Sequence, residues 1–182
     1  MTKRVLLLHG WGGSDYPHWQ SWLAGEIAKD YGCVYFLKFS DFDRPKYDVW
    51  MQELKTALEE FKPDIVICHS LANTLWFHYC QTQRLEKKLQ KLYLVAPPSM
   101  DCALDELSEF FPATLPASLN AADALLITST NDPYMTQDEA QNLQKKLGVE
   151  MKVLENAGHI NAESGFGEWE WMRQELQKEL NS

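Results

Sequence analysis

The sequence predicts an α/β fold in which about six mostly parallel strands are flanked by helices on both faces. Short runs rich in Val, Ile, Leu and Tyr alternate along the chain with segments of helical periodicity. The runs are mostly apolar, as is typical of parallel strands covered on both faces, and strand–helix alternation is typical of parallel sheets. The chain has 182 residues, 45% of them hydrophobic, so we expect a single domain over residues 1–182.

Six short apolar segments are the predicted strands. They span residues 4–8, 34–38, 64–68, 91–95, 124–128 and 151–154. The carboxyl ends of parallel strands meet at one edge of a sheet, and in α/β folds the functional residues gather in the loops beyond those ends. We therefore expect the residues that carry chemistry directly after predicted strands.

Apolar residues at helical spacing predict helices between and after these strands. Thr136 and Glu139 form a capping-box pattern at the start of one of them. Trp50 and Trp169, with the other residues of their stripes, are expected in the core. The four sets are Trp19, Trp22, Leu23 and Ile27; Trp50, Leu54, Ala57, Leu58 and Phe61; Leu143 and Leu147; and Trp169, Met172, Leu176 and Leu180.

The charge of the chain argues against two classes of partner. The net charge is −9 and the isoelectric point is about 5.0. The clustered cations Lys87, Lys88 and Lys91 are too few to form the basic face of a nucleic-acid-binding protein. We therefore expect neither nucleic acid nor a membrane as partner. The apolar run at residues 5–8 is too short for a signal peptide or a membrane span, so we expect a soluble, cytoplasmic protein.

The four cysteines do not have the spacing of a metal or redox site. Cys33, Cys68, Cys80 and Cys102 include no C-x-x-C pair, and most of them lie in apolar surroundings that are typical of buried, reduced thiols. No cluster of ligands has usable metal-binding spacing. We expect no metal and no cofactor.

Ser70 follows the third predicted strand and is the predicted nucleophile. In the G-x-S-x-G pattern, a tight strand-to-helix turn raises a serine hydroxyl above the sheet. Small residues two positions before and two positions after the serine let the strand and the helix come close together. In this chain those positions hold Cys68 and Ala72 instead of two glycines.

An acid and a base follow two later strands. Asp132 comes after the fifth predicted strand and His159 after the sixth. The chain order Ser, Asp, His is the order of the triad in α/β-hydrolases. We expect His159 to act as general base toward Ser70, Asp132 to orient the imidazole, and an acyl-enzyme to form on the serine. The joint placement of the three residues carries this prediction.

Two backbone N–H groups are the predicted donors to the oxyanion of the tetrahedral intermediate. Leu71 opens the helix after the nucleophile and lies at its positive end. Trp11 lies in the glycine-rich segment after the first strand, residues 9–14, where glycines let the backbone approach a substrate closely.

Several other residues are alternative carriers of the same chemistry. Asp101 and Asp105 follow the fourth strand and are alternative acids, and Cys68 is an alternative nucleophile, although its place at a strand end favours a buried thiol. His9 suits a structural turn. His69 adjoins the nucleophile and cannot easily fold back onto it.

Four segments carry a more specific signal. They are HGWGGS at 9–14 followed by His18-Trp19, VAPP at 95–98, NDPY at 131–134, and GHINAESGFG at 158–167. Together they resemble the small serine hydrolases of the YdeN-like family, which includes the retinoblastoma-binding serine hydrolase of animals, and the resemblance runs over nearly the whole chain. It implies a compact α/β-hydrolase fold without a large cap domain, a triad at Ser70, Asp132 and His159, and esterase-like activity.

Two functions fit these observations. The first is a monomeric hydrolase of small esters, with thioesters or amides as variant substrates; the apolar segment 100–120 either walls the site or covers the edge of the sheet. The second is a binding or protein-interaction module that has kept the fold and lost efficient chemistry. The presence of all three triad residues favours the hydrolase. A nucleotide-binding or redox domain would need a phosphate-loop glycine pattern that the sequence lacks.

Overall fold

A six-stranded parallel sheet forms the centre of the structure, a computed structural model that describes residues 2–182. The strands are β1 (Arg4–Leu8), β2 (Cys33–Leu37), β3 (Ile65–His69), β4 (Leu89–Val95), β5 (Ala121–Ser129) and β6 (Glu150–Leu154). Their order across the sheet is β2-β1-β3-β4-β5-β6, and every pair is parallel. The predicted fold class is confirmed. The predicted bounds differ most at β5, which begins at Ala121 and not at residue 124.

Five α-helices connect and follow the strands. They are α1 (Trp19–Lys29), α2 (Tyr47–Phe61), α3 (Leu71–Thr82), α4 (Gln137–Leu147) and α5 (Glu170–Asn181). The predicted capping box is confirmed at α4, where the Thr136 hydroxyl accepts from the Glu139 N–H and the Glu139 carboxylate accepts from the Thr136 N–H. None of the helices within residues 2–182 is long and apolar enough to span a membrane.

The side chains of the sheet alternate between two buried clusters on its opposite faces. On β1, Val5 and Leu7 pack in the cluster that contains α1 and α5, whereas Leu6 and Leu8 pack in the cluster that contains α2, α3 and α4. All four are fully buried. This is why the predicted strands are apolar throughout: each face of the sheet is covered by helices.

The predicted core positions of two tryptophans are confirmed. Trp50 is fully buried and stacks on Phe39 with 4.4 Å between ring centroids. Trp169 is 7% exposed and meets Trp19 edge to face, with centroids 5.0 Å apart. The indole N–H of Trp19 donates to the carbonyl of Ile160 at 2.8 Å, which ties α1 to the loop after β6.

The connection between β4 and β5 contains one 3-10 helix, Asp105–Phe110, and no cap domain. Of the two roles expected for this segment, the structure shows residues in the wall of the cleft, and it places another residue in the core. Leu104 and Leu107 line the cleft above the sheet. Phe110 is fully buried and packs against Tyr47 and Trp50 of α2, so it covers the core.

Candidate active site

Ser70 lies in a sharp turn between β3 and α3. Its backbone is in the left-handed region, with φ 55° and ψ −123°, a conformation that costs free energy in a residue other than glycine and that the surroundings must hold in place. The Ser70 N–H donates to the Val95 carbonyl at 3.0 Å. The Asn73 side-chain amide donates to the Ser70 and Val95 carbonyls, both at 2.9 Å. The turn therefore has the strained geometry that raises a serine hydroxyl above a sheet.

A glycine in the loop after β1, Gly10, comes close to the backbone of the turn at Ser70. Cys68 and Ala72, which replace the two glycines of the usual pattern, are fully buried in the core beneath the turn. A methyl group at Gly10 would lie 2.7 Å from the Ser70 Cβ and 3.1 Å from the Leu71 nitrogen. The loop after β1 thus presses against the turn at a position where only glycine fits.

Substituting Gly10 tests this contact. We expect Gly10→Ala to displace the loop from Ser70 and to lower the turnover of an ester substrate about 100-fold, as does the loss of one oxyanion donor. Gly25→Ala is the matched control, because a methyl group at Gly25 in α1 meets no atom within 4 Å. Steady-state kinetics with circular dichroism of both variants makes the comparison. Equal kcat values in the two variants would show that the contact is dispensable.

His159 and Asp132 complete a hydrogen-bonded chain with Ser70. The Ser70 Oγ and His159 Nε2 atoms lie 2.8 Å apart, and His159 Nδ1 lies 3.0 and 2.9 Å from the two carboxylate oxygens of Asp132. Because a carboxylate only accepts hydrogen bonds, Nδ1 carries the proton and Nε2 is free to accept from the serine hydroxyl. Tyr134 donates its backbone N–H to Asp132 at 2.9 Å and places its ring against the imidazole, with centroids 4.6 Å apart.

The loops that carry Asp132 and His159 are tied together by two polar side chains. The side-chain oxygen Oδ1 of Asn131 accepts a hydrogen bond from the Gly158 N–H at 2.7 Å and another from the Ser129 hydroxyl at 2.9 Å. The Ser129 hydroxyl in turn accepts from the Ala157 N–H at 3.0 Å. These bonds fix the loop after β5 against the loop after β6, and so fix Asp132 against His159.

Residues after His159 hold this histidine from the other side. The Ser164 hydroxyl accepts from the His159 N–H at 3.2 Å and donates to Asn161 at 2.8 Å. Both residues belong to segment 158–167, which resembles the YdeN-like family, so the sequence marked them as candidates without indicating their role. Asn73 had a weaker signal, as a polar side chain in an apolar helix. Asn131 belongs to the specific segment 131–134, again without an indicated role, and Ser129, the last residue of β5, had no signal of its own.

The residues of both predicted oxyanion donors lie at the cleft over Ser70. Trp11 and Leu71 line this cleft, and neither backbone N–H has an acceptor among the hydrogen bonds of residues 2–182. The next residue, Gly12, donates its N–H to the Phe42 carbonyl at 3.0 Å, which holds the loop in place. A developing oxyanion requires unpaired N–H donors of this kind close to the nucleophile.

The alternative residues lie outside this chain of bonds. Asp101 and Asp105 are exposed, and the carboxylate on His159 is that of Asp132. Burial raises the pKa of the Cys68 thiol well above its ordinary value, so it stays protonated and unreactive. His9 accepts from the Phe39 N–H at 2.9 Å through Nε2, a structural contact between two loops.

Three imidazoles near the site are buried: His18 and His69 line the cleft, and His9 packs behind the loop after β1. Burial is the main cause that lowers the pKa values of His9, His18 and His69, that of His18 to about 4. Neighbouring imidazoles lower the pKa values of His18 and His69 further. All three are therefore neutral near pH 7.

We expect these histidines to make the fold sensitive to acid. Between pH 6.5 and 4 these histidines bind protons in the unfolded chain but stay neutral in the folded protein. The free energy of unfolding therefore falls as the pH falls through this window. For His18 alone the loss is on the order of 3 kcal/mol. Urea unfolding at pH 7 and pH 4.5 measures it, and His18→Asn should reduce the difference whereas His78→Gln, a control outside the site, should not. Equal stability of the wild type at both pH values would contradict the expectation.

The cleft over Ser70 is open and asymmetric. It has a volume of about 570 Å³. Pro98, Leu104 and Leu107 supply apolar surface, and the charged residues that line it, apart from the histidines, are Asp15, Asp43 and Glu163. The cleft thus combines an apolar wall with negative charge at its rim.

Comparison with known proteins agrees with this geometry. The model of the serine hydrolase family matches residues 5–178. The protein YdeN of Bacillus subtilis is 22% identical over 171 residues, which cover 91% of this chain and 90% of YdeN.

Two crystal structures show the same architecture. That of YdeN superposes with a TM-score of 0.88 at 19% identity and covers 100% of both chains. That of a YdeN-like protein of Pectobacterium atrosepticum superposes with a TM-score of 0.80 at 25% identity, over 99% of this chain and 91% of the other. The resemblance predicted from the sequence is confirmed: the chain belongs to the serine hydrolase family and has the α/β-hydrolase fold of YdeN-like proteins.

Proposed function

We propose that the protein is a carboxylesterase-like serine hydrolase that cleaves small esters through an acyl-enzyme on Ser70. The observation that carries the proposal is the continuous hydrogen-bonded chain from the Ser70 hydroxyl through His159 to Asp132, with distances of 2.8 and 2.9 Å. A histidine aligned in this way can take the serine proton as the hydroxyl attacks.

The acylation step uses all five predicted residues. Ser70 Oγ attacks the carbonyl carbon of the ester, and its proton passes to His159 Nε2. The carbonyl oxygen becomes an oxyanion that accepts hydrogen bonds from the Trp11 and Leu71 N–H groups. Asp132 stabilises the imidazolium. When the intermediate collapses, the bond to the leaving oxygen breaks, and His159 returns the proton to it, so that the free alcohol departs.

Deacylation repeats the sequence with water in place of the serine. His159 Nε2 takes a proton from the water as its oxygen attacks the acyl carbon. The second tetrahedral intermediate expels Ser70 Oγ, which recovers the proton from His159, and the carboxylic acid is released. No group besides those of the chain and one water molecule is needed to balance the reaction.

The cleft favours an uncharged substrate with an apolar acyl chain. Leu104 and Leu107 give the acyl chain a surface on which to pack. The carboxylates of Asp43 and Glu163 disfavour an anionic substrate. Esters are the first choice, and thioesters and amides are variants of the same acyl transfer.

Hydrolysis of p-nitrophenyl butyrate tests the proposal. We expect the wild-type protein to release p-nitrophenolate with saturation kinetics and Ser70→Ala to be inactive. A folded wild-type protein that hydrolyses neither this ester nor its acetate and hexanoate homologues would favour a binding module on the same fold. The intact chain of hydrogen bonds supports the enzyme over that alternative.

The remaining expectations on partners and location stay predictions. We expect a small ester as the substrate, no nucleic-acid or membrane partner, a monomer in solution and a cytoplasmic location. Gel filtration at micromolar concentration measures the oligomeric state.

A further inference from the structure

Two residues that line the cleft over Ser70 carry buried polar atoms without a hydrogen-bond partner. Within residues 2–182, five buried side-chain oxygen or nitrogen atoms have no hydrogen-bond partner. Four of them belong to residues 14–20 and to α3, the helix that follows Ser70, and the fifth lies in the core. They are Ser14 Oγ, His18 Nε2, Gln20 Oε1 and Asn73 Oδ1, and in the core Tyr93 OH. Because burying an unpaired polar atom is costly, such a cluster points to a group that binds there.

Two of these atoms belong to residues that line the cleft. Ser14 and His18 both contribute to the wall of the cavity over Ser70, and they are only 4% and 5% exposed. His18 packs against His69, with ring centroids 4.9 Å apart, and the His69 ring lies 5.3 Å from the ring of His159. The His18 ring therefore lies one imidazole away from His159.

The hydrogen bonds of His18 fix which nitrogen carries its proton. His18 caps α1, and its Nδ1 accepts from the Gln20 N–H at 3.1 Å. In the neutral ring the proton is then on Nε2, the unpaired atom. Burial keeps the ring neutral, since it lowers the pKa of His18 to about 4. An N–H donor of His18 and the hydroxyl of Ser14 are thus unpaired, buried groups of two residues of the cleft wall.

The position of this polar wall assigns it to one half of the substrate. His159 must protonate the leaving oxygen, so the alcohol half of an ester lies toward His159. His18 packs against Trp19, with ring centroids 5.6 Å apart. Trp19 belongs to the cluster that contains α1 and α5, whereas Leu107 belongs to the cluster on the opposite side of the sheet. The acyl chain therefore has the apolar wall, and the alcohol half has the polar one.

The charge of the cleft selects the kind of oxygen that binds. Asp15, Asp43 and Glu163 line it, and no Lys or Arg does so within residues 2–182. A carboxylate or phosphate would meet repulsion there without a cation to offset it. The acceptor that suits His18 is an uncharged oxygen, such as a hydroxyl or an ether.

We propose that His18 Nε2–H and the Ser14 hydroxyl form a subsite that binds an uncharged oxygen on the alcohol half of the substrate. The proposal rests on the ester hydrolase proposed above and names its substrate class: acyl esters of neutral, hydroxylated alcohols. Ser14 and His18 are positioning residues in this reaction, and they set specificity without exchanging protons with the reacting atoms.

Two substitutions of His18 separate its two roles. In His18→Asn, the amide oxygen of the new side chain takes the place of Nδ1, so this variant keeps the cap of α1 and loses the donor. His18→Gln places an amide N–H near the position of Nε2, so it keeps the donor and loses the cap. Ser14→Ala removes the hydroxyl of the subsite, and Gly25→Ala in α1 is a control outside it.

The assay compares glycerol 1-monobutyrate with propyl butyrate, which have the same acyl group and differ in two hydroxyls. Release of butyric acid in a pH-stat gives kcat/KM for each ester. We expect the wild type to prefer the glycerol ester, and the ratio of the two kcat/KM values to fall about tenfold in His18→Asn and severalfold in Ser14→Ala. His18→Gln should keep most of the ratio with a lower melting temperature, and Gly25→Ala should keep the ratio of the wild type.

The outcomes that contradict the subsite differ from those that contradict the hydrolase. If His18→Asn lowers both kcat/KM values equally, the ratio stays constant, His18 is only structural and the subsite is wrong. If His18→Asn and Ser14→Ala both match the wild type, the subsite is also wrong, although the hydrolase stands. If the wild type hydrolyses neither ester, the proposed function fails and the subsite fails with it.

Discussion

Ser70→Ala and His159→Ala should each lower kcat for p-nitrophenyl butyrate by about 10⁶-fold, and the double variant should be no slower than either one. The nucleophile and the base act as a unit, because the hydroxyl becomes nucleophilic only as its proton moves to Nε2 across the 2.8 Å hydrogen bond. Steady-state kinetics, with active enzyme carefully excluded from the variant preparations, measures these values.

Two variants outside the site control for folding. Ser108→Ala removes an exposed serine in the 3-10 helix, and His78→Gln replaces a histidine that contacts the Phe110 carbonyl from α3. Both should keep wild-type kcat. A Ser70→Ala protein that folds normally and retains more than a tenth of wild-type activity would place the nucleophile elsewhere.

Asp132→Asn should lower kcat about 10⁴-fold while leaving the fold intact. The carboxylate accepts a hydrogen bond from His159 Nδ1–H, and the Asp132 side chain is only 3% exposed. An amide at this position can donate its N–H to Nδ1, which moves the imidazole proton to Nε2 and removes the acceptor that Ser70 needs.

The matched controls for Asp132 are the two other acids that the sequence offers. Asp101→Asn and Asp105→Asn change exposed carboxylates and should leave kcat within about twofold of the wild type. The measurement is kcat for the three variants together with their melting temperatures. Equal kcat values for Asp132→Asn and Asp101→Asn would remove Asp132 from the proposed triad.

The sheet could be predicted closely because its signal is local. Both faces of each strand pack against helices, so runs such as Val5–Leu8 are apolar at every position and stand out from the helical segments. The chain order then places the ends of β3, β5 and β6, and with them Ser70, Asp132 and His159, at one edge. The geometry that joins the three side chains follows from the loops beyond those ends.

The support of the site could not be predicted because it depends on contacts between distant loops. Gly10 fits against Ser70 across 60 positions of the chain, and nothing in either segment specifies that contact. Asn131 and Gly158 are joined in the same way. Segment 100–120 was ambiguous for a further reason: Leu107 and Phe110 are both apolar, and only the three-dimensional path sends one to the cleft and the other to the core.

The most direct test of the proposed triad is covalent labelling with a fluorophosphonate probe, followed by mass spectrometry of the peptides. Oxygen of an activated serine displaces fluoride from phosphorus, so the adduct marks the nucleophile without knowledge of the natural substrate. We predict one adduct, on Ser70, formed by the wild type and by Ser108→Ala and absent from Ser70→Ala and His159→Ala. A folded wild-type protein that is unlabelled, or labelled on another residue, would contradict the account.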